Sequence, residues 1–352
     1  MTRFGSASTV NVRDMRAIVY AERGGPEVLR LTDRPVPEPG PGEVRVRVRV
    51  SGVNPTDWKA RRGGRTGGPA GEQVPNQDGA GVVDAVGPGV PPDRVGERVW
   101  LWEAAWQRAD GTAQEYVVLP EAQAVPLPDD ASFDLGASLG IPALTAHRCL
   151  TLSPHGPHRL GPGALAGRTV LVAGGAGAVG NAAIQLAKWA GATVVTTVSG
   201  PRKADLARAA GADAVVNYRV GDAIAAVRAA AARGVDLIVE VAPTANAALD
   251  RAVAHLGATI AVYATDSEDD LALPVWPLMR ANVGYQFVLV YTVPAQAKRE
   301  AVTDVSAAVA AGALLVGEAA GLPLHRFPLE RTADAHRAVE EGAVGKVLID
   351  VD

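Results

Sequence analysis

The stretch Val170-Leu171-Val172-Ala173-Gly174-Gly175-Ala176-Gly177-Ala178-Val179-Gly180 decides the fold. Its first four residues read as a buried strand, and the alanine-rich run that follows reads as a helix. The glycines therefore fall where a strand turns into a helix. Gly175, Gly177 and Gly180 fit the spacing G-x-G-x-x-G. In that spacing the first glycine allows a tight turn, the second lets backbone N–H groups approach a pyrophosphate, and the third lets helix and strand pack closely. The helix N-terminus adds partial positive charge. Gly174, Gly175, Gly177, Ala178, Val179 and Gly180 are accordingly expected to cradle a dinucleotide.

Downstream, apolar runs at 193–198, 214–216, 237–241, 259–262 and 283–290 alternate with helix-favouring segments. Strands separated by helices of ten or more residues imply a parallel, doubly wound sheet with right-handed crossovers. Upstream the texture differs. Short β-rich runs at 17–20, 44–53, 81–86, 95–101 and 116–119 are broken by Gly and Pro, which predicts a barrel-like β domain. A helical run follows at 134–146 and a Gly, Pro and His loop at 155–167. After a helix at 295–311, a final strand at 347–351 is placed to pair back onto the first domain. The division expected is an extension at 1–14, a catalytic domain at 15–137, a nucleotide-binding domain at 138–294 and the rest of the catalytic domain at 295–352.

At 352 residues the chain has room for two cores. A formal net charge of -4 gives no surplus to neutralise phosphates, so nucleic acid is not expected as a partner. Arg45, Arg47 and Arg49 alternate with valines and read as one solvated strand face. The single cysteine, Cys149, rules out an internal disulfide and fits a reducing compartment. No run of about 18 apolar residues is present and the first residues lack a secretory core, so a cytoplasmic protein without membrane association is expected.

Cofactor choice is read at the end of the second strand, where proteins that bind NAD usually place an acid. Residues 196–203 offer no carboxylate. Ser199, Arg202 and Lys203 instead bring a hydroxyl and two cations to a helix start, which suits the 2′-phosphate of NADPH.

Further motifs carry a family resemblance. They include Gly24-Gly25-Pro26-Glu27-Val28-Leu29, Pro39-Gly40-Pro41-Gly42-Glu43-Val44, Ser51-Gly52-Val53-Asn54-Pro55-Thr56-Asp57, Gly79-Ala80-Gly81-Val82-Val83, Pro142-Ala143-Leu144-Thr145-Ala146 and Gly345-Lys346-Val347-Leu348. With the glycine turn, they make the chain resemble the medium-chain dehydrogenase/reductases, in the zinc-independent quinone oxidoreductase (zeta-crystallin-like) branch. The resemblance implies an α/β fold, with a GroES-like β-rich catalytic domain built from both chain ends and a central Rossmann domain. It also implies a homodimer, joined through the strand at 283–291.

Zinc-containing relatives place a cysteine where this chain has Asn54 and a His-Glu pair where it has Gln77-Asp78, so no metal is expected. Without a Lewis acid, the expected acceptor is a quinone or another conjugated carbonyl, whose conjugation spreads the incoming charge. An enoyl or 2-alkenal reductase is the alternative, and a non-catalytic NADPH-binding regulatory or RNA-binding protein is the reading from another class. By the same resemblance, Asn54 and Thr145 line the nicotinamide end, although Asn54 could serve only to cap the following turn. Tyr218 and Lys188 approach the adenosine side, backbone near Phe287 meets the carboxamide, and Lys346 joins the cofactor set. Lys59 and Tyr263 are candidate proton donors beside solvent. Trp100, Trp102 and Trp106 form either a substrate wall or packing.

Overall fold

The computed structural model describes residues 14–64, 71–265, 267 and 270–351. The extension expected at 1–14 lies outside them except for Asp14, which opens the first strand. β1 (Asp14–Val19) and β2 (Arg30–Pro35) form an antiparallel pair. Next come β3 (Glu43–Val53), α1 (Pro55–Arg61), β4 (Asp78–Val86), β5 (Arg98–Leu101), β6 (Tyr116–Pro120) and β7 (Ala124–Pro126). In β3 the period of two works as read: Val44, Val46, Val48 and Val50 are buried while Arg47 is exposed. Arg45 is not simply solvated, since its Nε donates to Asp84 Oδ2 at 2.8 Å.

The helical run expected at 134–146 is broken into α2 (Phe133–Gly136) and α3 (Gly140–Thr151). Two close approaches explain the break. A Cβ on Gly52 would lie 2.0 Å from Ala137 O, and one on Gly140 would lie 2.1 Å from Asp78 Oδ1. The junction thus presses onto the sheet, and Ile141 N near the start of α3 donates to Asp78 Oδ1 at 2.8 Å.

The next stretch is β8 (Thr169–Ala173), α4 (Ala178–Trp189), β9 (Thr193–Val198), α5 (Pro201–Ala209), β10 (Ala214–Asn217), α6 (Ala223–Ala230), β11 (Val235–Glu240), α7 (Pro243–Val253), β12 (Ala254–Val262), α8 (Val275–Ala281) and β13 (Gly284–Phe287). Its strands form a parallel sheet in the order β10-β9-β8-β11-β12-β13. Val172, Val194, Ile238 and Ile260 are fully buried in it, each stabilising the fold by about 1.5–3 kcal/mol. β13 is shorter than the apolar run at 283–290, because it is an edge strand and the chain turns into a 3-10 helix at Val290–Thr292.

α9 (Ala295–Ala310) follows, and its Ala301, Val305 and Ala308 share a core with α3 and α4. The chain then forms β14 (Leu324–Pro328), α10 (Thr332–Glu340) and β15 (Lys346–Asp350). β15 pairs antiparallel with β3, giving a second sheet in the order β14-β15-β3-β4-β5-β7 with β6 also on β3. The last strand therefore returns to the first half, as its sequence suggested. Tyr291 Oη donates to Thr56 Oγ1 at 3.0 Å, tying the end of the parallel sheet to α1.

Candidate active site

The glycine turn joins β8 to α4, with Gly177 as N-cap of the helix. Gly174 has φ of 71°, a left-handed backbone that favours glycine. A Cβ on Gly175 would meet Thr196 Oγ1 at 2.1 Å, and one on Gly180 would meet Gly174 O at 2.4 Å. At Gly177 such a Cβ would meet only Gly174 O, at 3.5 Å, so the turn stays open there. The first amides of α4, including those of Ala178 and Val179, lack an intrahelical partner and suit a phosphate. This cradle fits a dinucleotide pyrophosphate.

The parallel register brings the ends of β8, β9 and β10 to one edge: Ala173 pairs with Thr197, and Val198 with Asn217. Ser199 follows β9, and Pro201 starts α5 with Arg202 and Lys203 behind it. Arg202 is 71% exposed and pairs with Glu318 at 3.2 Å. Tyr218 is half exposed just beyond β10. Lys188 is committed elsewhere, donating to both oxygens of Asp213 at 2.8 Å. Phe287 ends β13 with its ring 71% exposed.

A second cluster is built from side chains. Asn54 caps α1: its own N–H donates to Asp57 Oδ2 at 2.6 Å in a capping box. Its side chain does more, because Nδ2 donates to Asp78 Oδ2 at 2.7 Å while Oδ1 accepts from Lys346 Nζ at 2.7 Å. Lys346 Nζ also lies 3.4 Å from Asp78 Oδ2. Lys346 is 1% exposed, and both acceptors of its ammonium are protein side chains. Burial pushes the Asp78 carboxyl up, and Lys346 pulls it back. Burial likewise lowers Lys346, and Asp78 opposes that shift. Asp57, buried without a cation in contact, is pushed up to about 8, chiefly by loss of water.

Thr145 is buried on α3, four residues beyond Ile141 and on the same helix face. Lys59 is not brought to Asn54. It lies exposed on α1, two residues from the inward-facing Asp57, with Nζ 5.7 Å from the Trp58 ring centroid. Tyr263 packs against the core, and burial raises its hydroxyl above the usual phenol range. Trp100 is core, and Trp106 stacks on Tyr291 with centroids 4.4 Å apart. Nearby, Lys298 Nζ donates to Glu103 Oε1 at 2.7 Å, joining the tryptophan segment to α9. Burial drives Glu103 up to about 7, and Lys298 resists this. Sequence reading missed Glu103, Lys298 and the role of Asp78, because each partner is remote in the chain.

The positions at which the resemblance would place zinc ligands hold Asn54, Gln77 and Asp78. Gln77 Oε1 already accepts from Ala105 N at 3.1 Å, and an ammonium lies against Asn54 and Asp78. Two amides and one carboxylate beside a fixed cation do not fit a zinc ion. Among the described residues no group of three or more His, Cys, Asp or Glu is arranged to hold one elsewhere.

A family model described as "Alcohol dehydrogenase GroES-like domain" matches residues 40–129, and one described as "Zinc-binding dehydrogenase" matches residues 178–309. The quinone oxidoreductase of Lama guanicoe is 30% identical over 341 residues, covering 96% of this chain and 98% of that one. Among solved structures, an NAD-dependent alcohol dehydrogenase is 32% identical with a TM-score of 0.82, covering 96% of this chain and 100% of that one. A mycobacterial protein solved in complex with NADPH is 30% identical with a TM-score of 0.78, covering 96% and 99%.

Proposed function

Because the chain belongs to the medium-chain dehydrogenase/reductase superfamily, in its quinone oxidoreductase branch, we propose that it is an NADPH-dependent, zinc-independent reductase of quinones and other conjugated carbonyls. The observation that carries this reading is the donor set around Asn54, which offers amides and a protein ammonium where a metal would have to sit.

NADPH, when bound, supplies the hydride. The rest falls to the chain. Backbone N–H groups of the turn from Gly174 to Gly180 hold the pyrophosphate, and Ser199, Arg202 and Lys203 hold the 2′-phosphate beside a strand end, residues 196–203, that carries no acid of its own. Tyr218 flanks the adenosine, and the backbone at Phe287 meets the carboxamide. Asn54 and Thr145 orient the acceptor. A carbonyl conjugated with a ring or an alkene spreads the charge it receives over several atoms, so one amide N–H suffices where a simple alkoxide would need a Lewis acid. Water delivers the final proton.

The protein works as a cytoplasmic homodimer joined through the edge strand β13, whose Phe287 is 71% exposed, and the adjoining α8, whose Trp276 and Met279 are 72% and 60% exposed.

The test is a panel of acceptors assayed for NADPH oxidation: 9,10-phenanthrenequinone, 2-alkenals and enoyl thioesters, with metal content measured alongside. Turnover of the quinone by metal-free protein is expected. Oxidation of ethanol by protein holding stoichiometric zinc would overturn the reading. NADPH binding with every acceptor inert would favour a non-catalytic role, and turnover confined to alkenals or thioesters would move the substrate class.

A further inference from the structure

Three chain segments far apart in sequence meet at one buried point. β3 lies between β4 and β15, with Gly52 opposite Asp78 on one side and Val53 opposite Val347 on the other. Gly52 leaves the space through which the lysine passes, since a Cβ there would come 3.1 Å from Lys346 Cε. The ammonium thereby reaches Asn54 Oδ1 at 2.7 Å, while Asn54 Nδ2 reaches Asp78 Oδ2 at 2.7 Å. Asp78 is itself fixed by the Ile141 N–H at 2.8 Å. All three side chains are at most 2% exposed.

An amide flanked by an ammonium and a carboxylate has only one permitted flip: oxygen toward the cation, nitrogen toward the anion. One N–H of Nδ2 is then used by Asp78, and the second has no acceptor among the described residues. A cation on the amide oxygen also draws electron density from nitrogen, which strengthens the remaining N–H as a donor.

We propose that Lys346 is a positioning residue for the reaction, holding and polarising the Asn54 amide so that its free N–H points at the acceptor oxygen. This rests on the reading that Asn54 faces the acceptor. Lys346 acts through Asn54 and does not touch coenzyme or substrate. Asp78 is the counter-charge that lets the ammonium stay buried.

The experiment compares Lys346→Met, Lys346→Arg, Asn54→Ala and the Asn54→Ala/Lys346→Met double variant. For each, kcat and KM for 9,10-phenanthrenequinone are measured, with the NADPH dissociation constant from nucleotide fluorescence and a thermal unfolding curve. Lys346→Met is expected to lower kcat by about tenfold to a hundredfold, the scale of one positioned donor, and to leave NADPH affinity within about threefold. Lys346→Arg, which keeps the charge, should recover part of the loss. The double variant should be no slower than Asn54→Ala alone, because residues acting through one another are not additive.

Two results would overturn the proposal: a folded Lys346→Met protein with kcat within about twofold of the parent, or a loss confined to NADPH affinity, which would make Lys346 a coenzyme contact. If Lys346→Met does not fold, the Asp78→Asn/Lys346→Met pair strands neither charge and is read the same way. Should the parent protein reduce none of the acceptors, the reading of Asn54 as an acceptor contact falls. The crystal structure of Lys346→Met still decides the positioning claim: a rotated Asn54 amide supports it, and an unmoved one sinks it.

Discussion

Both halves of the molecule bury carboxyl groups at a strand end, and they do so in opposite ways. In the catalytic half, Asp78 opens β4 with both oxygens engaged: Ile141 N–H on one, and Asn54 Nδ2 and the Lys346 ammonium on the other. In the nucleotide half, Glu240 closes β11 and accepts from Ala242 N and from Asn246 Nδ2, while Asp250 of α7 finds no donor for either oxygen. Burial raises Asp250 first, and the neighbouring Glu240 adds to it. A buried carboxylate persists where a cation and fixed N–H groups meet it; where none does, burial favours the neutral acid, which keeps its proton. The first arrangement keeps charge available beside Asn54, and the second discards it.

The sharpest way to break this contrast is Asp78→Ala. The substitution leaves the Lys346 ammonium buried without a counter-charge and orphans the Ile141 N–H, so a loss of about 3–5 kcal/mol is expected in urea unfolding. Asp78→Leu combined with Lys346→Met should recover much of that loss, because no charge is then stranded. A single-site loss under about 1 kcal/mol would mean that the ion pair does not hold the cluster.

Asp250→Asn should act with the opposite sign. The raised folded-state pKa means that the native protein keeps a proton which the unfolded chain releases above about pH 4. Stability of the parent therefore falls as pH rises through that window, by up to about 1.4 kcal/mol per unit while one proton separates the two states. Asparagine removes the titration and supplies a donor for Glu240. The variant should match the parent near pH 4, and the difference should grow to roughly several kcal/mol by pH 8, measured as denaturant midpoints across pH. Equal pH slopes would show that Asp250 is solvated and does not retain its proton.

The same contrast explains what could be read before folding. The glycine turn is local: eleven consecutive residues contain the strand, the turn and the helix start, and its chemistry belongs to the backbone, so the letters Gly175, Gly177 and Gly180 suffice. The doubly wound order followed from the alternation of apolar runs with alanine-rich helices. The Asp78–Lys346 pair is separated by 268 positions and exists only because β3 brings β4 and β15 together. From sequence, Asp78 was visible only as a failed zinc ligand and Lys346 only as a cofactor residue. Glu240 and Asp250 left a fainter mark, an acid ending an apolar strand and another on the inward face of a helix. The break between α2 and α3 was hidden for the same reason, since it depends on Gly52 and Gly140 yielding space to remote atoms.

The smallest expected effect concerns charge that is neither buried nor discarded. Arg202 stands 71% exposed, paired with an equally wet Glu318, and such pairs contribute under about 1 kcal/mol to stability. Arg202→Ala should leave the unfolding midpoint nearly unchanged. Its cost should appear only when a 2′-phosphate is present, because the guanidinium can then form charge-assisted bonds to the phosphate that the ribose of NADH does not offer. A fall of about tenfold in the ratio of kcat/KM with NADPH to that with NADH, or about 1.4 kcal/mol, is the expected outcome. An unchanged ratio would shift recognition of that phosphate to Lys203 and Ser199, whereas a change in stability without one in selectivity would make Arg202 a structural partner of Glu318.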